Sequence, residues 1–359
     1  MFFKKRLLIA ASTLVWSLGA IAMCQGCSDQ SSESLKRHNP TSISMVSPVS
    51  QSNSVTAVEI EPMVMEVVDE PVKVKPKVRE IRIVYSASAH DVHTLFKEIN
   101  YSLVLWNEGV REIPRVYITD ISSRWQTQSQ KMDVKSKKAI FFQFTIPIVL
   151  RANELILEDR QKLLALMQHS ENLSEEQNQW LTALAMRYKV VVKNEHFQRS
   201  KMEKLLSRVD VIPPSLALAQ AAEESGWGTS RFAILGNSLF GQWAFSKSAM
   251  RPKQQRKELG DYGLARFDTP LDAVNSYMLN LNTHLAYKPL RELRSQMKRE
   301  QKKVTGKALA TTLDKYSERG QAYVDSLHAM MRINHLGEAD DAYLWDREII
   351  YLVPIEDMG

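Results

Sequence analysis

The pattern of apolar and polar positions changes repeatedly along the 359-residue chain, and each change marks an element. Leu7 to Ala22 is an almost unbroken apolar run behind Lys4-Lys5-Arg6, of secretory length and slightly short for a full membrane span. From residue 28 to 78 periodicity disappears, as Ser, Asn and Gln give way to Val, Glu, Pro and Lys. Prolines and alternating charges oppose a compact core there and predict a disordered, extended tether. At ~3.1 Å per residue in polyproline-like stretches, ~50 residues reach on the order of 150 Å. Glu80 to Tyr85 and Arg115 to Thr119 read as short strands. Ala139 to Met167 and Ser174 to Val191 read as helices, the second opened by a capping-box match, Ser174-Glu-Glu-Gln. Leu163 to Ile212 contains neither Pro nor Gly, so a continuous path into the element after Pro213 is expected. The predicted divisions are an export signal or membrane anchor (1–27), the tether (28–78), a mostly helical accessory segment (79–200), a helical domain carrying the chemistry (201–335) and a C-terminal tail (336–359).

Within that domain, Pro213-Pro214 suits a helix start, where a missing N–H costs nothing, and Gly226 suits the left-handed cap that ends one. Leu216, Ala219 and Ala222 share one side of this helix while Leu218, Ala221 and Ser225 share another, which predicts passage through a core. Its last turn carries Glu223 and Glu224, followed by Trp227. A carboxylate at a helix C-terminus faces the negative end of the dipole, and an adjacent indole excludes water, so both favour the protonated acid. That is the pairing by which lysozyme protonates a leaving sugar oxygen. The two glutamates point about 100° apart, so at most one enters a cleft. A solvated pair of helix-end glutamates is the plain alternative.

The stretch Ala-Gln-Ala-Ala-Glu223-Glu224-Ser-Gly-Trp-Gly-Thr-Ser-Arg-Phe-Ala, followed by Gly236-Asn-Ser-Leu-Phe-Gly-Gln-Trp243, resembles the glucosaminidase domain of glycoside hydrolase family 73. Arg266-Phe-Asp-Thr-Pro, Tyr277-Met-Leu-Asn-Leu-Asn-Thr-His284, Tyr287 and Tyr316-Ser-Glu-Arg-Gly-Gln-Ala-Tyr-Val resemble the Bax-like bacterial envelope branch. Pro114-Arg-Val-Tyr-Ile-Thr-Asp-Ile and Leu150-Arg-Ala-Asn-Glu-Leu-Ile-Leu-Glu-Asp-Arg160 are similar to that branch too, so the resemblance covers roughly residues 110 to 335. It implies a mainly α (α+β) chain, with a lysozyme-like glucosaminidase domain and small β-lobe at 201–335, preceded by an α+β accessory segment. The implied activity is hydrolysis of peptidoglycan glycan strands after N-acetylglucosamine, with Glu224 as general acid. Glu223 stands where the family more often has a non-acidic residue. For the second acid the interval offers Glu258, Asp261 and Asp268; Asp261, in the turn Gly260-Asp-Tyr-Gly, is favoured, and Asp268 reads as a cap for a helix starting at Pro270. Trp227, Asn237, Phe240, Trp243 and Tyr287 are expected to bind substrate, since a polysaccharide groove needs flat apolar faces and polar tips. Tyr262 and Tyr316 are further candidates for the cleft wall.

Charge changes this picture little. The formal balance is +6; without Lys4, Lys5 and Arg6 the 47 basic residues fall to 44 against 41 acids, which is not a nucleic-acid binder's imbalance. Arg291, Arg294, Lys298, Arg299, Lys302 and Lys303 read as a solvated basic helix face, with attraction to the anionic wall or membrane phosphates the alternative. Both cysteines, Cys24 and Cys27, lie in the first 27 residues, so no disulfide framework is possible beyond them. No cofactor or metal is expected, because Cys24-x-x-Cys27 and the His90/His93 pair lack partner ligands. The N-terminus predicts a periplasmic or envelope location, with Ala20-Ile-Ala22 a possible cleavage site; an inner-membrane anchor and a lipoprotein are the alternatives. A lytic transglycosylase and a non-catalytic peptidoglycan-binding scaffold are the competing functions. The first shares a helix-end glutamate, and the second is left open by the unfixed second acid.

Overall fold

The computed structural model describes residues 79–170, 172–191, 197–244, 249–252 and 262–355. The predicted signal and tether, and with them the cysteines, lie outside these residues. The order is β1 (Ile81–Ser86), α1 (Ala89–Glu98), α2 (Leu103–Asn107), β2 (Glu112–Ile118), α3 (Arg124–Gln130), α4 (Val134–Gln168), α5 (Glu175–Arg187), α6 (Arg199–Arg208) and α7 (Pro214–Ser225). It continues with α8 (Arg231–Gly236), β3 (Trp243–Ala244), β4 (Gly263–Leu264), α9 (Pro270–Thr283), α10 (Lys288–Arg299), α11 (Gly306–Ala310), α12 (Gln321–Ile333) and β5 (Tyr343–Pro354). The fold is mainly α (α+β), as the sequence predicts, and among the described residues the strands form a small parallel sheet and a two-stranded antiparallel lobe.

α4 is the hub. It starts at Asp133, whose side chain accepts from the Ser136 amide, and it packs against α6, α7, α9, β2 and β5. Ile146 to Leu150 are all buried, because helix and sheet press on this part of α4 from several directions. That burial carries the helix through Pro147 despite the lost backbone bond. Its length and hydropathy would suit a membrane span, yet most of the apolar stretch is inside the protein core.

The sheet order is β1-β5-β2, with β5 parallel to both neighbours. The stretch read as a C-terminal tail therefore supplies the central strand. Its run Ile349-Ile350-Tyr351-Leu352-Val353 has the β-branched and aromatic character that a strand flanked on both sides requires. A second difference concerns Leu163 to Ile212, which is not one continuous path. α4 stops at Gln168, α5 opens on a Ser174/Gln177 capping box, and α6 is separate again. Ser174 and Gln177 satisfy the first amides of a new helix, a stop-and-start signal stronger than the absence of Pro and Gly.

The two N-terminal motifs act on the rest of the chain. Arg115 of β2 donates to both oxygens of Glu154 on α4 at 2.7 Å, and its Nε donates to the Trp345 carbonyl at 2.7 Å, locking β2, α4 and β5 together. Asn153 donates to the Ile212 carbonyl at 2.8 Å and accepts from the Ile212 amide at 3.1 Å, fixing the chain just before α7. The accessory segment thus holds the helix that carries Glu224.

The basic stretch corrects the sequence reading in part: Arg299, Lys302 and Lys303 are exposed as expected, but the other three cations are tied down. Arg294 is fully buried and Arg291 nearly so, while Lys298 reaches Asp210. Arg291 donates to the carbonyls of Leu281 and His284, and Arg294 to those of Ser207, Asp210 and Val211, so these cations staple α10 onto the ends of α6 and α9.

α11 approaches the start of α7 at Gly306. A Cβ there would lie 2.1 Å from Ser215 Oγ and 2.5 Å from the Leu216 nitrogen, so backbone itself must move. Gly306→Ala is expected to lower stability by about 2 kcal/mol, the usual cost of overpacking, read as a fall in the midpoint of a denaturant melt. An unchanged midpoint would show that the two helices can separate freely.

Candidate active site

α7 ends as its sequence demands. Pro214 takes the first helical position and Gly226 caps the helix in the left-handed region, at φ 58°. The turn beyond is held by Ser225, whose hydroxyl donates to the Ala221 carbonyl at 2.6 Å and accepts from the Gly228 amide at 2.8 Å. Glu223 and Glu224 therefore leave the last turn from a fixed frame and diverge.

Glu223 turns to α12. It pairs with Arg319 at 2.7 Å and accepts from Ser326 at 3.0 Å, so it is a tie and not loose surface. Glu224 enters a cage of tyrosines. Tyr323 Oη donates to its Oε1 at 2.7 Å. Tyr316 lies parallel to Tyr323 with centroids 5.3 Å apart, and Tyr287 follows at 5.8 Å from Tyr316. Oε2 faces Gly241, where an added Cβ would stop 4.0 Å away.

Burial pushes the Glu224 carboxyl up to about 7; the hydrogen bond from Tyr323 and the charge of Arg319 pull it down in part, and the charge of Glu223 pushes it further up. Behind Tyr323 runs a buried polar chain: Tyr277 Oη donates to Gln220 Oε1 at 2.5 Å, and Gln220 Nε2 donates to Tyr323 Oη at 2.9 Å. Gln220 lies one helical turn before Glu224, on the same side of α7. Tyr277 is buried, and Gln220 is the acceptor its hydroxyl finds. That contact sets the amide orientation, and the amide in turn directs the Tyr323 proton toward Glu224.

The residues expected to bind substrate divide. Tyr287 and Trp243 stand at the site and in the β-lobe respectively; Trp243 of β3 is half-buried and stacks on Tyr262 at 4.5 Å. Phe240 is buried and stacks face to face on Tyr277 at 3.9 Å, so it is a support behind the cage. Asn237 is buried at φ 52° and its amide is fully engaged. It accepts from the Ile121 amide at 2.9 Å and donates to Asp120 and to the carbonyls of Phe267 and Asp268. A side chain so occupied ties loops together.

Trp227 is not the apolar partner of Glu224. At φ 64° it turns toward α4, where its indole meets Phe141, Phe142 and the Lys138 ammonium. The tyrosines do the shielding expected of it. Their signal was present in the sequence as Tyr316 and Tyr323 seven residues apart and Gln220 four before Glu224, but nothing local joins them.

Asp261, favoured as the second acid, and Glu258 lie outside the described residues. Asp268 is exposed, and the cap of α9 is Thr269, which closes a capping box with Asp272. Among the described residues no cluster of His, Cys, Asp or Glu suits a metal ion.

A buried carboxyl raised toward neutrality can hold a proton near neutral pH. Residues 199–336 match the glucosaminidase family described as mannosyl-glycoprotein endo-beta-N-acetylglucosaminidase. The chain is 32% identical over 198 residues to Protein bax of Escherichia coli (strain K12), a match spanning 55% of this chain and 70% of that protein. The chain belongs to this Bax-like family and carries a glucosaminidase domain, which places it at the family level among the glycosidases. No solved structure matches.

Proposed function

We propose that this protein is a peptidoglycan hydrolase that cleaves the glycan strand after N-acetylglucosamine, with Glu224 as general acid. The observation that carries this reading is the Glu224 carboxyl, buried among tyrosines and pushed up to about 7. Because Oε1 accepts from Tyr323, the transferable proton sits on Oε2, beside Gly241. From there it passes to the glycosidic oxygen as the bond to C1 breaks and its electron pair moves onto that oxygen. Water supplies hydroxide to C1, with Asp261 as the second carboxylate that stabilises the oxocarbenium ion or takes the water's proton. Trp243 supplies a face for the sugar rings, the buried Tyr287 helps to wall in the carboxyl, and Asn237 and Phe240 hold the loops around them. The basic and apolar run at the N-terminus, read as an export signal, supports a location in the periplasm or envelope, anchored or free.

The test is mass spectrometry of products released from purified peptidoglycan. Fragments with N-acetylglucosamine at the reducing end support the reading. Anhydromuramic ends would make the protein a lytic transglycosylase, and no products from a protein that still pellets with the wall would make it a scaffold.

Tyr323→Phe gives a directional check. The Tyr323 hydrogen bond stabilises the carboxylate, so its removal leaves burial less opposed and raises the Glu224 pKa further. A general acid works only while protonated, so activity falls as pH rises through that pKa. The fall is expected to move upward by about one unit, the size of a hydrogen bond to a charged group. A downward shift in the pH–rate profile would contradict the assigned direction of the hydrogen bond.

A further inference from the structure

The two adjacent glutamates that end α7 both reach α12, and they grip it at neighbouring points. One carboxylate oxygen of Glu223, Oε1, accepts from Arg319 at 2.7 Å and from Ser326 at 3.0 Å. Arg319 lies four residues before Tyr323 and Ser326 three after it, so these contacts bracket the residue that donates to Glu224. Tyr323 and Ser326 are neighbours on one face of α12, and both meet glutamates of α7. The Arg319 guanidinium also sits 6.0 Å from the centre of the Tyr323 ring, and Tyr316 stacks on that ring at 5.3 Å.

The start of α12 needs such a hold. Its N-cap is Gly320, at φ 55°, with no side-chain cap, and its first turn carries no acidic residue. A helix opened this way has neither a side-chain acceptor for its first amides nor an anion of its own at its positive end. Tyr323 is the third residue of this helix, within the turn that frays most readily. Glu223 supplies an anion from another element and fixes the chain on both sides of Tyr323. Glu223 and Glu224 share one backbone frame, so whatever holds α12 to the first also sets the distance from Tyr323 to the second. That distance is 2.7 Å, and a displacement of 1 Å would break the hydrogen bond.

Stability alone does not account for the tie. The Arg319 side chain is 44% exposed, and an ion pair so open to water adds little to folding. Its leverage on geometry is greater, because it acts beside the one hydroxyl that fixes which oxygen of Glu224 is occupied.

We infer that Glu223 is a positioning residue: through Arg319 and Ser326 it holds Tyr323 where it donates to Glu224 Oε1, which keeps the transferable proton on Oε2. The catalytic consequence rests on the reading of Glu224 as general acid, whereas the hold on Tyr323 does not.

The experiment is a double-variant cycle in the full chain, with Glu223→Ala, Tyr323→Phe and the two combined. Cleavage of peptidoglycan is timed near pH 5, where the acid is protonated in every variant, and denaturant midpoints are taken at pH 8, where its ionised form holds the hydrogen bond most strongly. Glu223→Ala is expected to slow cleavage about tenfold while binding to the wall is unchanged, and the double variant should be at most about threefold slower than Tyr323→Phe alone. Glu223→Gln keeps an oxygen that accepts from Arg319 and Ser326, so its rate should stay within about threefold of the parent. If the two losses multiply, or if Gln is as slow as Ala, Glu223 acts independently of Tyr323 or through its charge, and either result overturns the inference. The midpoints need no catalysis: Tyr323→Phe should lower the midpoint less than half as much in the Glu223→Ala background as in the parent. A protein that cleaves nothing yet shows this coupling sinks only the hydrolase reading. One that cleaves glycan with multiplying rates and additive midpoints sinks only this inference.

Discussion

Glu224→Gln is expected to reduce release of sugar fragments from peptidoglycan by a factor of about 10²–10⁴, the usual contribution of a positioned proton donor, while binding to the wall survives. Gln keeps the shape and still accepts the Tyr323 hydrogen bond, but has no transferable proton. The same variant carries a stability signature of opposite sign. In the unfolded chain a Glu titrates near 4.3, whereas burial raises the folded value to about 7. The stabilisation contributed by the protonated group is therefore fully present below about 4 and is lost as pH rises through about 7. Gln has no such loss, so the variant should be more stable than its parent by about 1–3 kcal/mol at pH 8 and equal to it near pH 4. Denaturant melts at the two pH values check this beside the product assay. If Glu223→Gln proved to be the inactive variant instead, the assignment of the two adjacent glutamates would be reversed, and the Arg319 tie would have to be catalytic.

The contrast between these glutamates shows what local pattern can and cannot supply. The limits of α7 follow from Pro214 and Gly226, because a missing amide and a missing Cβ act through the backbone alone. Adjacent residues on a helix diverge, so one glutamate had to leave the cleft. Which one left is decided by Arg319 and Tyr323, about a hundred residues downstream. Trp227 misled for the same reason. Its nearness in sequence suggested a lid on Glu224, but Gly226, Trp227 and Gly228 all take positive φ and swing the indole onto α4. Asn237 and Phe240 belong to a specific motif, and that specificity proves to serve loop anchoring and a stacked support. Motif membership marks a residue as constrained; only its partners say by what.

The accessory segment extends this point. No catalytic pattern is visible in it, and its strands and helices follow from alternation and periodicity. Its consequence for the site lies in pairings between distant segments: Arg115 with Glu154, Asn153 with the backbone before α7, and the loop at Asp120 and Ile121 with Asn237. Each joins a polar side chain to a partner that periodicity leaves unspecified. Together they make the position of Glu224 depend on residues that never approach it.

Asp210→Asn is expected to be the most damaging single change to stability in the described core, at about 3–5 kcal/mol. The carboxylate is buried and faces three cations: Lys298 at 2.6 Å, Arg294 at 3.5 Å and Arg160 at 3.6 Å. Burial opposes its ionisation, but Arg294, Arg160 and Lys298 outweigh that and hold it below the usual carboxylate range. The same burial pulls the Arg294 guanidinium down to about 10, still charged at neutral pH, so removing Asp210 strands a fully buried cation. A lowered folded value means that the contribution is present above the unfolded carboxylate pKa and is lost as pH falls through the lowered one. The deficit of the variant should therefore be full at pH 7 and shrink in acid below about 4. Thermal melts at pH 7 should show a drop of roughly 10 °C. Adding Arg294→Met should recover part of it, because the uncompensated charge and not the missing pair is the main cost. Recovery would place the fault in the buried guanidinium. A double variant worse than the single would instead assign the loss to the carbonyls of Ser207, Asp210 and Val211 that Arg294 caps, making this cation a backbone staple first and an ion-pair partner second.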